Sequence, residues 1–170
     1  MISTTDSEYI SATIKNEKEL VPIIASLKQE GKIIGMCNGS FDLLHPGHIS
    51  HLLVAKRICD ILIVVIATDE YNQKTRKSKG RPIFNQGVRA FTISQLKAVD
   101  YVVVSDDNIS LIRSLKPDLL IKGVDYKSSI HPGLIEQQNV MREVGGKFAL
   151  TPTEKLSTTE IIRYIKEQID

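Results

Sequence analysis

Apolar residues fall along this chain in two rhythms, one near period 3.6 and one of unbroken runs, and the two alternate. Leu20, Ile23, Ile24 and Leu27 share one face at helical spacing, which predicts a helix over Glu17 to Gln29. Pro22 lies near its first turn, where proline is tolerated, and Gly31 ends it. The run Ile33-Ile34-Gly35-Met36-Cys37-Asn38 predicts a first strand. Ile49, Leu52 and Leu53 resume the helical pattern, which stops near Cys59 and Asp60. Ile61 to Ala67 is apolar without alternation, as expected of a strand buried on both faces of a parallel sheet. It runs into Thr68-Asp69-Glu70, at the edge where open α/β sheets bind ligands. The stretch from Asn72 to Pro82 is basic and rich in loop formers, and reads as a loop.

The same alternation continues. Asn85 to Lys97 is helical, with Val88, Phe91, Ile93 and Leu96 apolar, and Tyr101 to Val104 is a strand. Asn108 to Leu115 is a short helix that stops before Lys116-Pro117, because a residue preceding proline is pushed out of helical geometry. Asp118 to Ile121 is a fourth strand, leading into Lys122-Gly123-Val124-Asp125-Tyr126. Gly133 to Val144 is helical and ends at Gly145-Gly146, and Lys147 to Leu150 is a fifth strand. A helix from Ser157 to Gln168 closes the chain, with capping-box spacing between Ser157 and Glu160. The fold class expected from this order is α/β: a Rossmann-like, doubly wound, parallel five-stranded sheet in a three-layer α/β/α sandwich. One domain over 1–170 is expected, with residues 1–15 a polar lead-in and 16–31 an N-terminal helix.

Composition narrows the function. The 170 residues are 42% hydrophobic and 25% charged, which suits a full core. The formal net charge of +2 is too small to suggest a nucleic acid or membrane-surface partner. The longest apolar run, Ile61 to Ala67, is far shorter than the ~20 residues of a membrane span. The polar start, Met1 to Glu8, lacks the pattern of a secretory signal, so a cytoplasmic protein is expected. Cys37 and Cys59 have no metal-type spacing and read as reduced, buried thiols.

The chemistry concentrates in Gly39-Ser40-Phe41-Asp42-Leu43-Leu44-His45-Pro46-Gly47-His48, between the first strand and the next helix. Two imidazoles at a helix entrance suit phosphate, because the helix start offers free N–H groups and the positive end of its dipole. His51, one turn on, reads as a surface residue. Here the chain resembles the HxGH nucleotidyltransferase superfamily. The string Asn38 to His45 is similar to the branch holding glycerol-3-phosphate cytidylyltransferase and the heptose-1-phosphate adenylyltransferase domain of ADP-heptose synthase.

That resemblance implies further roles. His45 and His48 would bind the triphosphate and stabilise charge on the α-phosphate, with a basic flap from Lys74 to Arg81 above it. Lys74 and Lys77 are the candidate flap lysines, and Lys77 is carried as catalytic. Nucleotide contacts would come from Asn38, Gly39, Ser40, Phe41, Gly47, Lys74, Arg89, Lys122 and Gly123, and from the Ser157-Thr158-Thr159 helix start. Gly39 would let the backbone approach the nucleotide closely. Asp42, Asp69 and Asp125 would stand on the acceptor side, with Asp42 chiefly orienting its neighbours or holding the turn. Lys122 to Tyr126 looks like the heptose branch. Pro152 and Lys155 stand where cytidylyltransferases carry an arginine and a glycine, and Gly87 and Val88 precede Arg89 without the family's acid.

The resemblance therefore implies transfer of AMP from ATP to a sugar 1-phosphate, such as D-glycero-D-manno-heptose 1-phosphate. Mg2+ would be bound mainly through the nucleotide phosphates, with no protein metal ligand assigned. A stand-alone transferase is expected, because the chain is too short to include the sugar kinase often fused in front. A homodimer is expected too. CTP with glycerol 3-phosphate or another polyol phosphate, adenylylation of FMN, and a non-catalytic nucleotide-binding module remain open alternatives.

Overall fold

The computed structural model describes residues 11–75, 80–153 and 157–169. The chain forms α1 (Glu17–Gln29), β1 (Ile34–Gly39), α2 (Pro46–Lys56), β2 (Ile61–Ile66), α3 (Asp69–Thr75) and α4 (Gln86–Ser94). Then follow β3 (Tyr101–Val104), α5 (Asn108–Leu115), β4 (Leu119–Gly123), a 3-10 turn (Val124–Tyr126), α6 (Pro132–Glu143), β5 (Lys147–Thr151) and α7 (Thr158–Ile169). The strands make one all-parallel sheet in the order β3-β2-β1-β4-β5.

Alternation along the strands feeds two cores. Ile34 and Met36 of β1, Ile63 and Val65 of β2 and Leu120 of β4 face one side, where they meet Leu20 and Ile24 of α1, Leu111 and Ile112 of α5, and Val140 and Met141 of α6. Cys37, Leu62, Val64, Ile66 and Ile121 face the other, against Leu52 and Ala55 of α2 and Ala90 and Ile93 of α4. The central strands are buried on both faces, which is why their sequences read as continuous apolar runs. Cys37 is buried and Cys59 half-buried, and both are free thiols. Burial pushes both up, Cys59 to about 11, so neither is a ready nucleophile.

Three local expectations change. The basic stretch is helical at its start, because α3 runs from Asp69 to Thr75. The Thr68 hydroxyl accepts from the Tyr71 backbone amide, and the Thr68 carbonyl accepts from the Asn72 backbone amide at 3.2 Å and from its side-chain amide at 2.8 Å. These bonds restart a helix where the residue types alone read as loop. α4 is shorter than expected and begins after Asn85, whose side chain accepts from the Val88 amide. The lead-in is partly sheet: Lys15 donates to the Val102 carbonyl and Val102 to the Thr13 carbonyl, so this segment covers the outer edge of β3. Asn16 then starts α1 with a reciprocal capping box to Glu19.

Because Leu20 is fully buried among residues from the sheet, α5 and α6, α1 belongs to the common core. Leu20→Ala is expected to lower unfolding free energy by about 2–5 kcal/mol in urea titration. A loss below about 0.5 kcal/mol would mean that α1 packs as an appendage.

Candidate active site

β1 pairs with β2 along its whole length, from Ile34 opposite Ile61 to Gly39 opposite Ile66. Its pairing with β4 covers Gly35 with Leu119 and Met36 with Leu120. The crossovers after β1 and β4 depart in opposite directions, so the carboxyl ends of these two strands part and leave a crevice. Lys122 stands there, buried, its ammonium donating to the Asn38 carbonyl across the gap at 3.4 Å and lying 5.0 Å above the Tyr126 ring. Burial pulls it from an ordinary 10.5 down to about 8. Two cavities meet at this seam, of about 230 and 420 Å³, and share Asn38, Gly39, Ser40, Lys122 and Tyr126 in their walls.

The turn from β1 to α2 is built from buried charges. Phe41 takes a left-handed backbone (φ 45°), which is strained for a residue with a side chain. Its ring folds back over Gly39, where an added Cβ would lie 3.0 Å from the ring, so glycine there makes room for Phe41. Arg89 of α4 fixes the turn from beneath. Its side chain is wholly buried and donates to the carbonyls of Ser40 (2.5 Å), Ala67 (2.7 Å) and Phe84 (3.1 Å), and to Asp69 (2.8 Å). Ser40 donates its hydroxyl to Asn72 of α3 at 2.5 Å. Asp42, also buried, accepts from the Arg81 guanidinium and from the amides of Ile83 (2.6 Å) and Phe84 (3.3 Å).

On this turn sit the histidines. His45 occupies the N-cap position of α2 with extended backbone, yet its ring makes no capping bond. The cap is made by its carbonyl, which accepts from the amides of His48 (2.9 Å) and Ile49 (3.3 Å). Pro46 stands next, at a position that has no intrahelical N–H bond to lose. The His45 ring stacks on His48 with centroids 3.8 Å apart and 22° between planes, and Phe41 packs on His48 at 5.2 Å. Burial lowers the pKa of His45, so this imidazole is neutral at pH 7 and offers an N–H without a full charge.

Opposite lies the start of α7. Ser157 and Glu160 form a reciprocal cap, with the Ser157 hydroxyl accepting from the Glu160 amide and donating to its carboxylate. Thr158 is buried at the cleft and donates to the Leu43 carbonyl at 3.4 Å, which ties α7 to the histidine turn.

The structure brings Asn38, Gly39, Ser40, Phe41, Asp42, His45, Gly47, His48, Lys122, Gly123, Asp125 and Thr158 around the smaller cavity. It places other candidates elsewhere. Arg89 is spent on three carbonyls and Asp69, so it holds the turn beneath the cleft. Asp69 faces Arg89 and the Gln86 amide (3.0 Å), a staple between α3 and α4. Asp42, expected on the acceptor side, accepts from the 81–84 segment. Lys74 is exposed and pairs with Glu70, one helical turn back. Thr159 is exposed, and Ser157 serves as the cap. Lys77, with much of the basic flap, lies outside the described residues. His51, read as a surface residue, is half-buried, lines the cleft and lies 2.7 Å from the Thr151 hydroxyl. Helical spacing puts it one turn past His48 but does not say that β5 closes over it. Burial and the nearby Lys122 charge lower its pKa, against the pull of Asp125.

Imidazole donors, a helix start and a buried ammonium at the carboxyl edge of a parallel sheet together suit a polyphosphate, and the class that they define is the nucleotidyltransferase. The chain belongs to the cytidylyltransferase-like family, whose model matches residues 36–164. It is 37% identical over 158 residues to the bifunctional protein HldE of Desulfatibacillum aliphaticivorans, covering 91% of this chain and 31% of that protein. It is 41% identical over 143 residues to HldE of Caulobacter sp. (strain K31), covering 82% of this chain and 28% of that protein. It thus spans about a third of the length of the curated relatives it matches. Among solved structures, a lipopolysaccharide core biosynthesis protein from Thermoplasma volcanium GSS1 superposes with a TM-score of 0.62 at 32% identity, over 74% of this chain and all of that one.

Lys122 gives the cleft a pH dependence. Its ammonium is fully charged in the folded protein below about pH 8 and is lost as pH rises through that value. Nucleoside triphosphate affinity is expected to fall several-fold between pH 7 and 9 in calorimetry, with no such fall in Lys122→Met. For folding the sign is opposite. The unfolded chain holds this proton to about 10.5, so the penalty for burying the charge is full below about 8 and relaxes between those values.

Proposed function

We propose that the chain transfers AMP from ATP to a sugar 1-phosphate, with a heptose 1-phosphate as acceptor, giving an ADP-sugar and pyrophosphate. The observation that carries this reading is the stacked His45–His48 pair, with the His45 ring not used as a cap, beside Lys122 and Thr158. The similarity to HldE proteins and to a lipopolysaccharide core biosynthesis protein supports a heptose acceptor. So does the Lys122-Gly123-Val124-Asp125-Tyr126 string, which resembles the heptose branch. The same reading takes the chain as one transferase domain, acting in the cytoplasm as a homodimer.

In the proposed reaction an oxygen of the sugar phosphate attacks the α-phosphorus. The bond from that phosphorus to the oxygen bridging the β-phosphate breaks, and pyrophosphate carries the electron pair away. The nucleophile is already an anion, so no general base is required. The work left for the protein is to hold two anions in line and to meet the charge that develops on the α-phosphoryl oxygens. His45 and His48 would donate to those oxygens, while Lys122 at the seam would offset repulsion between the reactants. Thr158 and the first amides of α7 would hold the outer phosphates. Gly123 leaves room for Asp125, whose Oδ1 would lie 2.5 Å from any added Cβ.

Mg2+ fits this donor set as a passenger on the triphosphate. Among the described residues no three His, Cys, Asp or Glu side chains form a metal cage, and a cation that keeps several waters and leans on phosphate oxygens needs none. Asp125, exposed at the cleft, is the carboxylate that would hold it. The ion would withdraw charge from the phosphoryl oxygens.

The test is a matrix of ATP, CTP, GTP and UTP against heptose 1-phosphate, glycerol 3-phosphate and FMN, read as pyrophosphate release. Turnover is expected with ATP and the sugar phosphate. Turnover confined to CTP would replace the adenylyl reading with a cytidylyl one, and no turnover with any pair would leave a binding module. His45→Ala and His48→Ala are each expected to lower kcat about 10²–10³-fold with the unfolding midpoint little changed. Unaltered turnover in His48→Ala would remove that residue from the chemistry.

A further inference from the structure

Lys122 is 6% exposed, and its ammonium has three N–H donors to satisfy. One reaches the Asn38 carbonyl, at a long 3.4 Å. Among the described residues no carboxylate forms an ion pair with it. Asp125, which favours its charged form from a distance, is exposed, and its Oδ1 fills the place that a Cβ at Gly123 would need. The other support of the buried cation is the face of the Tyr126 ring, whose centre lies 5.0 Å from Nζ. That is within the roughly 6 Å over which an aromatic face attracts a cation, and the attraction grows where water is excluded.

The backbone is arranged to make this contact. β4 ends at Gly123, and the 3-10 turn Val124–Tyr126 follows at once, closed by the Lys127 amide donating to the Val124 carbonyl at 3.0 Å. The turn brings Tyr126 back over the side chain of Lys122. The strand end below is fixed, because Gly123 pairs with Thr151 of β5 and the Thr151 hydroxyl donates to the Lys122 carbonyl at 3.3 Å. Tyr126 is 39% exposed and, like Lys122, borders both cavities. Ring and ammonium therefore stand together in the wall that the cavities share.

An aromatic partner differs from a carboxylate in what it leaves over. A carboxylate would stabilise the buried ammonium but cancel its charge and repel incoming phosphates. A ring face stabilises the same ammonium through its quadrupole and brings no net charge. We propose that Tyr126 is a positioning residue, whose ring holds the Lys122 ammonium at the seam in place of a counter-ion and so leaves its charge for phosphate. This rests on the adenylyl-transfer reading above for the reactants that Lys122 meets. The other ionisable groups around Lys122 do not take this part. Cys37 of β1 is kept a neutral thiol by burial, and burial together with Lys122 keeps His51 of α2 neutral at pH 7. Asp106, in the wall of the larger cavity, accepts from the Thr68 amide and hydroxyl. Asp125 is untouched by a change at Tyr126.

The test compares Tyr126→Leu with Tyr126→Phe, which keeps the ring and drops the hydroxyl, in the full chain. In the ligand-free protein the NMR resonance of Lys122 Cε, identified by its absence in Lys122→Met, is expected to titrate with a midpoint near 8 in wild type and in Tyr126→Phe. In Tyr126→Leu the midpoint is expected to fall by about 0.5–1 pH unit, because the charged form has lost its partner. From that displacement, calorimetric binding of ATP and of inorganic tripolyphosphate at pH 8 is expected to weaken about 2–5-fold in Tyr126→Leu, equally for the two ligands, and to be retained in Tyr126→Phe. An unmoved or raised midpoint in Tyr126→Leu overturns the inference. So does an equal fall in Tyr126→Phe, which would assign the effect to the hydroxyl. Weakened ATP binding with unchanged tripolyphosphate binding would make the ring a stacking surface for the base, and overturns it too, as does a wild-type protein that binds neither ligand. The expected midpoints and tripolyphosphate affinities without ADP-sugar formation would leave the positioning role standing and remove the adenylyl-transfer reading. ADP-sugar formation with Tyr126→Leu titrating and binding like wild type would do the reverse.

Discussion

The site depends on one topological constraint. β1 pairs with β2 along its whole length but with β4 only at Gly35 and Met36, and the chain leaves β1 and β4 in opposite directions. Where the ladder opens, backbone groups are freed and space appears inside an otherwise close-packed sheet. Lys122 occupies that space, bonded to the Asn38 carbonyl. A buried lysine is an expensive choice for a fold, as its lowered pKa records. Its position between two cavities gives the cost a use, since both proposed reactants bring negative charge to that point.

Other buried charges do structural work on behalf of the turn. Arg89 gathers the ends of β1 and β2 and the start of α3 around one guanidinium, a task suited to its planar fork of donors. Asp42 performs the complementary task with its acceptors, drawing in the segment that follows the basic stretch. Neither needs to touch a ligand to matter, because each decides where the histidine rings lie.

The sequence was most legible where one residue type serves one physical purpose. Ile61 to Ala67 fits a doubly buried strand, and the glycine turn with two histidines could be placed at a strand's end before a helix. Residue types with two uses were harder. Arg89 and Asp69 carry charges that suit phosphate or substrate, and only their geometry shows them facing each other. Ser157 and Thr159 belong to a phosphate-type string, yet one caps the helix and the other faces solvent. His51 was unreadable because its partner, Thr151, is a hundred residues away.

The left-handed backbone at Phe41 has a consequence for how ligands meet this protein. Such a conformation costs of order 1–3 kcal/mol in an isolated chain, and Arg89, Gly39 and the Asn72 bond to Ser40 together hold it. The ordering entropy of the histidine turn is therefore met once, during folding, by contacts within the protein. An arriving nucleotide has little of this turn left to organise, and the binding energy that would have gone into fixing it remains for the reacting phosphates.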